Sequence, residues 1–481
     1  MVSSIKIYQT HIEVSPYKKG DNKDLEASMS YWDNVMHKYI PMTYYIEDDI
    51  LYLPRGTNPR ILETAFRVKP QVGYGHDPFD RIEFGEGLFE PKSKIQENAI
   101  NFLCSTGDFC HTSRYAQLGL NLGTGEGKTY SAIYSILALK IKGLIITHQE
   151  KIKQQWIDTL VKKTSIPIDR IVNISGSSEI SKINKGELEG DIYLVNHQTL
   201  QGYAKTHGWK RVRVMFQTAK IGIKVIDESH KYFENTFMID NFSNCYKTFY
   251  LTATFGRSDY KEEKLYHKAF SNLIRFDDSK IEKRKHTRFI VCYFRSIPQG
   301  KQPSVRTIHG FSNYKYIDYE LNFSKRYKSN EAILKGIEKI LTETSHLKGK
   351  TLILSPKKES VDLIADKVYE ITGHHASKIY SNNTSDENEE AKNSRYISST
   401  SKSTGEGTDI KGLRVLILVE PIGNPLLINQ IQGRLREYSD TEDTYFFYLV
   451  DTTIKESYNT VKAIMPVMKK KCKDIIYTKF K

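Results

Sequence analysis

One stretch, LNLGTGEGKTYSAIYSI at residues 120–136, constrains the fold more than any other. It sets glycines at 123, 125 and 127 and follows them with Lys128 and Thr129. Before it, YAQLGLNL (115–122) reads as a buried strand. After it, KTYSAIYSILALKIKG (128–143) reads as a helix and LIITH (144–148) as a second strand. Strand, glycine loop, helix, strand is a βαβ unit, and βαβ units need a parallel sheet covered on both faces. The pattern continues with IKQQWIDTLVKK as a helix, then DIYLVNH, IKVIDESH and TFYLTAT as strands.

A polar, charged stretch, FDDSKIEKRKHT (276–287), reads as a linker. A second series of the same kind follows: RFIVCYF, the helical NEAILKGIEKILTET, TLILS, the helical KESVDLIADKVYEIT, and the closing strands RVLILVE and TYFFYLVD. The expected fold class is therefore α/β, with two tandem parallel-sheet domains. Ahead of them, residues 1–87 carry short aromatic and β-branched runs such as MTYYIEDDILYLPRG, which read as a small β-rich or α+β module. The expected boundaries are 1–87, 88–280 and 281–481. Residues 381–409 are too polar to be core and read as part loop, part helix. The tail MKKKCKDIIYTKFK reads as a solvated basic helix face.

Composition narrows the partner. The 481 residues carry a net charge of +14, which favours a polyanion such as nucleic acid. The 31 tyrosines, with many Lys, Ile and Asn, are also what an A/T-rich genome produces. No run of about 18 apolar residues offers a membrane span. The N-terminus carries no signal-peptide core, and the five cysteines are scattered without a CxxC pair. These features point to a reducing cytoplasm, without a disulfide frame or a zinc site.

A glycine turn between a buried strand and a helix lets successive backbone N–H groups converge, and the helix N-terminus adds partial positive charge. Residues Gly123, Thr124, Gly125, Glu126 and Gly127 thus form a candidate phosphate cradle. Lys128 would reach the β/γ-phosphates and the Thr129 hydroxyl would ligate Mg²⁺. Leu122 stands where the strict pattern has a glycine. Asp227 and Glu228 end a buried strand, where two acids are costly unless used. Asp227 suits a metal, and Glu228 suits polarising an attacking water. Thr252 and Thr254 follow another strand and can couple this loop to a neighbouring domain. Arg434 and Arg436, in QIQGRLRE, are candidate γ-phosphate fingers.

In order and spacing these segments resemble a superfamily 2 helicase of the DExH type, with two RecA-like domains, over residues 88–452. LIITHQEKIKQQW, GDIYLVNHQTL, LTAT, TLILSP, STGEGTDIKGL and QIQGRLR each resemble a motif of that family. LYLPRG followed by Pro91 and Gln96 resembles the phage branch-migration DNA helicases. The resemblance implies ATP and Mg²⁺ as cofactors and Gln96 as reader of the adenine edge. It implies that Gly407 and Asp409 close on the nucleotide and that Gln430, Arg434 and Arg436 complete the site. It also implies a monomer gripping single-stranded, forked or branched DNA through backbone phosphates. Candidate contacts are His148, Gln149, Asn196, His197 and Lys357. Phe255 stands where a proline often follows the third motif, and one residue rather than two separates the arginines. The implied work is viral recombination, repair or replication in the host cytoplasm. An RNA helicase or transcript-release factor, and a nucleic-acid-binding protein with a silent ATP site, are the alternatives.

Overall fold

A computed structural model describes residues 2–33, 37–41, 43–82, 90–123, 126–252, 255, 260–277, 285–296, 305–307, 310–321, 332–380, 385–401, 403, 410–439 and 441–480. The chain forms two compact units, Met1–Ile281 and Glu282–Lys481.

The first unit opens with a five-stranded mixed sheet ordered Tyr45–Glu47, Ile50–Pro54, His11–Ser15, Ser4–Ile7, Gln71–Val72. Alternating apolar residues put Ile5, Ile12, Val14, Leu51 and Leu53 into one small core. Tyr52 sits on a neighbouring face, 4.7 Å from the Phe242 ring, and joins the core of the larger sheet. Gly56 is pressed against that larger domain: its N–H donates to Ala269 O at 3.2 Å, and a Cβ there would lie 2.5 Å from the same oxygen.

The larger sheet is seven-stranded and parallel throughout. Its order is Ile171–Ile174, Ile192–Asn196, Gly143–Thr147, Ile223–Ile226, Lys247–Thr252, Gln117–Asn121, Ile274–Arg275. Burial on both faces explains the unbroken apolar runs: Leu144 and Ile146 enter one core, Ile145 and Val225 the other. Two central strands also carry a buried polar network. Lys224 bonds Asp240 and Ser243 at 2.5 Å each, and Asp240 accepts from Tyr250 Oη at 2.6 Å.

The second unit repeats the plan with seven parallel strands: Ser377–Ile379, Tyr396–Thr400, Lys350–Ser355, Leu413–Leu418, Thr444–Asp451, Thr287–Phe294, Asp474–Lys479. Two expectations are corrected here. The polar segment 381–409 contains a core strand, Tyr396–Thr400, between two others. Its serines are affordable because each hydroxyl has an internal acceptor: Ser398 donates to Val361 O at 3.0 Å and Ser399 to Ile379 O at 2.9 Å. The basic tail is also more than a helix face. Helix Lys455–Lys471 ends at Cys472, and Asp474–Lys479 adds an edge strand beside Thr287–Phe294. In the aromatic segment 311–328, helix Asn313–Glu320 buries Tyr316, Ile317 and Tyr319 in the unit's core. Among the described residues no helix is long and apolar enough to cross a membrane.

Candidate active site

The phosphate loop leaves the carboxyl end of strand Gln117–Asn121, and the acidic loop leaves that of Ile223–Ile226. Strand Lys247–Thr252 lies between them. Its end stitches the two together: Leu122 N donates to Thr252 O at 3.2 Å, and Ser229 N donates to Leu251 O at 3.0 Å. The His230 ring meets Thr252 Oγ1 at 2.8 Å. Thr252 therefore touches both loops. Thr254 lies outside the described residues, as do Thr124, Gly125, Gly407 and Asp409.

Helix Lys128–Leu139 begins at the loop, capped by Gly127 in the left-handed region at φ +92°. Glycine is needed there twice, because a Cβ at Gly127 would also lie 2.3 Å from Gln96 Nε2. Gln96, on helix Lys94–Cys104, is thus held against the loop, with Oε1 accepting from Lys92 N at 2.9 Å. The leucine at 122 is an anchor: its side chain is fully buried in the sheet's core, and its carbonyl accepts from Lys128 Nζ at 3.0 Å.

The residues present fit a nucleotide. The Gly123 N–H donates to the Glu126 carboxylate at 2.5 Å, so this loop N–H is aimed at a carboxylate oxygen, an acceptor of the kind a phosphate also offers. Lys128 and Thr129 open the helix beside it. Among the described residues no group of three His, Cys, Asp or Glu side chains gathers to hold a metal. The Asp227 carboxylate and the Thr129 hydroxyl are hard oxygen donors of the kind Mg²⁺ takes, alongside water and the substrate's own phosphates. Thr129 and Asp227 would hold it here, and when bound it neutralises charge on the β- and γ-phosphate oxygens.

Asp227 is buried, and burial raises its carboxyl pKa; neighbouring Glu228 adds to the rise. The Trp156 indole, Lys128 and His148 pull it back. Lys128 is therefore near enough to Asp227 for its charge to be felt. The Trp156 Nε1–H donates to Asp227 Oδ2 at 3.0 Å, while Oδ1 accepts from Glu228 N at 3.0 Å. Glu228 adopts φ +48°, a conformation costing a non-glycine residue about 1–2 kcal/mol. It swings the Glu228 carboxylate toward His230, whose Nδ1 lies 3.4 Å from Oε2.

Trp156 is the residue that sequence reasoning missed. It is one of three tryptophans and sits in a polar helix, Glu150–Lys163, between buried Ile152 and Leu160. That spacing marks it as core but says nothing about a partner 71 residues away. Trp156→Phe keeps the packing and loses the indole N–H. It is expected to raise the Mg²⁺ concentration for half-maximal ATPase by about 10–100-fold, the usual effect of losing a group that orients a metal ligand. Titrating Mg²⁺ at saturating ATP checks this.

The candidate nucleic-acid contacts fall out differently. His148, Asn196 and His197 are buried. Asn196 accepts from Thr147 Oγ1 at 2.6 Å and donates to Glu150 Oε2 at 2.7 Å. Glu150 pairs with the buried Lys153, which also donates to Ile174 O at 3.1 Å. This network ties together the ends of three strands. His148 Nε2 lies 3.3 Å from Lys231 Nζ, and His197 stacks on Tyr232 at 5.3 Å. Burial pushes the His197 pKa down to about 3, so its imidazole is neutral. These side chains brace their loops from within rather than face outward. Gln149 is exposed, and Lys357 pairs with Asp318.

In the second unit, Gln430 is half-buried on helix Pro425–Gln432. Leu435 is buried in the core, which fixes the following turn with Arg434 half-buried and Arg436 exposed.

Residues 91–257 match a family model described as type III restriction enzyme, res subunit. Transcript termination protein A18 of Yaba-like disease virus is 23% identical over 353 residues, 71% of this chain and 69% of that protein. Among solved structures, S. cerevisiae Dbp5 bound to RNA and ADP BeF3 aligns with TM-score 0.52 and 14% identity, over 82% of this chain and 90% of that one. The ATP-dependent type ISP restriction-modification enzyme LlaBIII bound to DNA aligns with TM-score 0.52 and 12% identity, over 81% of this chain and 31% of that one. The two structural likenesses are of fold. Taken with the two parallel-sheet units and the family model matched over residues 91–257, they make the chain similar to the enzymes of helicase superfamily 2.

Proposed function

We propose that the chain is an ATP- and Mg²⁺-dependent translocase that remodels forked or branched DNA in viral recombination, repair or replication, working in the host cytoplasm as a monomer. One observation carries the motor reading: a buried Asp227, oriented by Trp156 and within the electrostatic reach of Lys128, beside a glycine loop whose N–H already holds an anionic oxygen. Glu228 polarises the attacking water, and Arg434 neutralises charge that grows on the γ-phosphate. Gly125, Gly407 and Asp409 take the nucleotide roles their motifs imply, and Thr252 with Thr254 relays the nucleotide state. Grip on the strand is through its phosphates, so it is sequence-tolerant and salt-sensitive. Gln149 and the backbone of the loops braced by His148, Asn196 and His197 supply that grip on the first unit, and the Lys357 loop supplies it on the second.

The net charge of +14 supports a nucleic-acid track but does not choose between DNA and RNA. A second reading is favoured by the likeness to transcript termination protein A18: an ATP-driven factor that releases transcripts during viral transcription. ATPase stimulation by single-stranded DNA, forked DNA and RNA separates the two. The first reading expects forked DNA to stimulate most, with ATP-dependent unwinding of a four-way junction. Stimulation by RNA alone, with no junction unwinding, would sink it.

A further inference from the structure

The carboxyl-terminal segment holds a surface that the ATP cycle does not use. Residues 455–481 carry eight lysines and two acids. On helix Lys455–Lys471, Lys455, Tyr458, Lys462, Met465 and Lys469 recur at intervals of three and four, so they form one stripe. It flanks the buried stripe of Val461, Ile464 and Met468. The neighbouring sheet edge continues it. Tyr293 stacks on Tyr477 at 6.1 Å with ring planes 6° apart, and lies 6.0 Å from Tyr458. The Tyr477 hydroxyl donates to Met465 Sδ at 3.7 Å. The packing leaves Tyr458 42% and Tyr477 55% exposed, so ring surface remains open to solvent.

Charge is as telling as shape. The two carboxylates of these elements are engaged: Glu456 pairs with Arg306 at 2.6 Å, and Asp474 lies 3.6 Å from Arg288. Lys455, Lys462, Lys469 and Lys479 are exposed beside the rings. The platform also sits toward the carboxyl end of its strands, since Tyr293 is the penultimate residue of Thr287–Phe294. That is the end at which parallel α/β sheets bind their ligands. Three strands separate this edge from Lys350–Ser355, whose following loop holds Lys357.

We propose that the Tyr293–Tyr458–Tyr477 platform and its lysines form an accessory site for single-stranded nucleic acid, separate from the loops assigned to the motor track. Bases stack on the exposed rings, and the lysines meet the phosphates. Stacking on aromatic rings beside a basic stripe is how sequence-tolerant single-strand sites are built. A protein strand added to the Asp474–Lys479 edge would need neither the exposed rings nor the lysine spacing. The proposal rests on the nucleic-acid reading above.

The test uses the full chain and fluorescent single-stranded oligonucleotides, one DNA and one RNA, followed by anisotropy across a salt series. Tyr458→Ala with Tyr477→Ala is expected to weaken binding about tenfold or more, while Tyr477→Phe keeps it. Lys455→Ala with Lys462→Ala is expected to lower the log–log salt slope by about 1.4, at roughly 0.7 per phosphate contact on a single strand. ATPase without nucleic acid stays unchanged in all of these. A photoreactive base in either oligonucleotide is expected to crosslink to Tyr458 or Tyr477, and the arm that crosslinks identifies the sugar preferred. Unchanged affinity and slope in variants whose ATPase is still stimulated by nucleic acid would overturn the accessory site alone. If no nucleic acid binds or stimulates the unaltered chain, the accessory site falls together with the motor reading.

Discussion

Lys128→Ala is expected to cut ATP turnover by about 10²–10³-fold or more, the effect of removing a preorganised charge from a developing anionic centre. Binding of DNA at low salt is expected to persist, because the proposed phosphate grip lies on other loops. The lysine holds two positions. Its Nζ bonds Leu122 O at 3.0 Å and Gly123 O at 3.5 Å, which keeps it over the glycine loop proposed to hold the triphosphate. Its charge also opposes the burial that raises the Asp227 pKa. Losing it therefore removes a phosphate ligand and makes Asp227 harder to keep ionised. Steady-state ATPase with saturating single-stranded DNA, alongside anisotropy binding at low salt, checks both parts. Turnover at the unaltered rate would remove Lys128 from the site.

Arg434→Ala is expected to lower kcat by about 10³-fold or more, within the range of arginine fingers, and to change nucleotide binding little. Arg436→Ala is expected to do far less. The distinction comes from Leu435. Its burial pins the turn after helix Pro425–Gln432, with Arg434 N bonded to Ile431 O at 3.1 Å. A half-buried guanidinium in a pinned turn loses less entropy on meeting a phosphate than the exposed Arg436 does. Measuring kcat and the affinity for a non-hydrolysable ATP analogue for each variant separates turnover from binding. A larger effect at Arg436 would mean that the motif is shifted by two residues.

Both effects concern residues legible as motifs, and the reason is local. A phosphate loop must be a short glycine-rich turn between strand and helix, so its letters are contiguous. The acid pair must end a buried strand, and the apolar run IKVI before it shows that strand. Leu122 departed from the pattern at a position whose side chain turns into the core.

Other features were not legible where the deciding partner was distant. Tyr396–Thr400 looked too polar for a core strand because the acceptors for Ser398 and Ser399 belong to other elements. The tail looked like a solvated helix because its strand is two-sided and charged, as suits an edge. His148, Asn196 and His197 looked like outward contacts because they end strands in loop positions. In the folded chain they are drawn inside by Lys231, Glu150 and Tyr232.

The sequence by itself determined the βαβ order, the two parallel sheets, the glycine turn ahead of Lys128, and the strand-end acids, because each is a property of neighbouring residues and of hydrophobic period. Only the tertiary structure decided that Trp156 orients Asp227, that Thr252 joins the two loops, that a serine-rich strand is core, and that three tyrosines meet at one sheet edge. Those outcomes depend on hydrogen bonds and ring contacts between segments far apart in the chain, and no local pattern encodes the far partner.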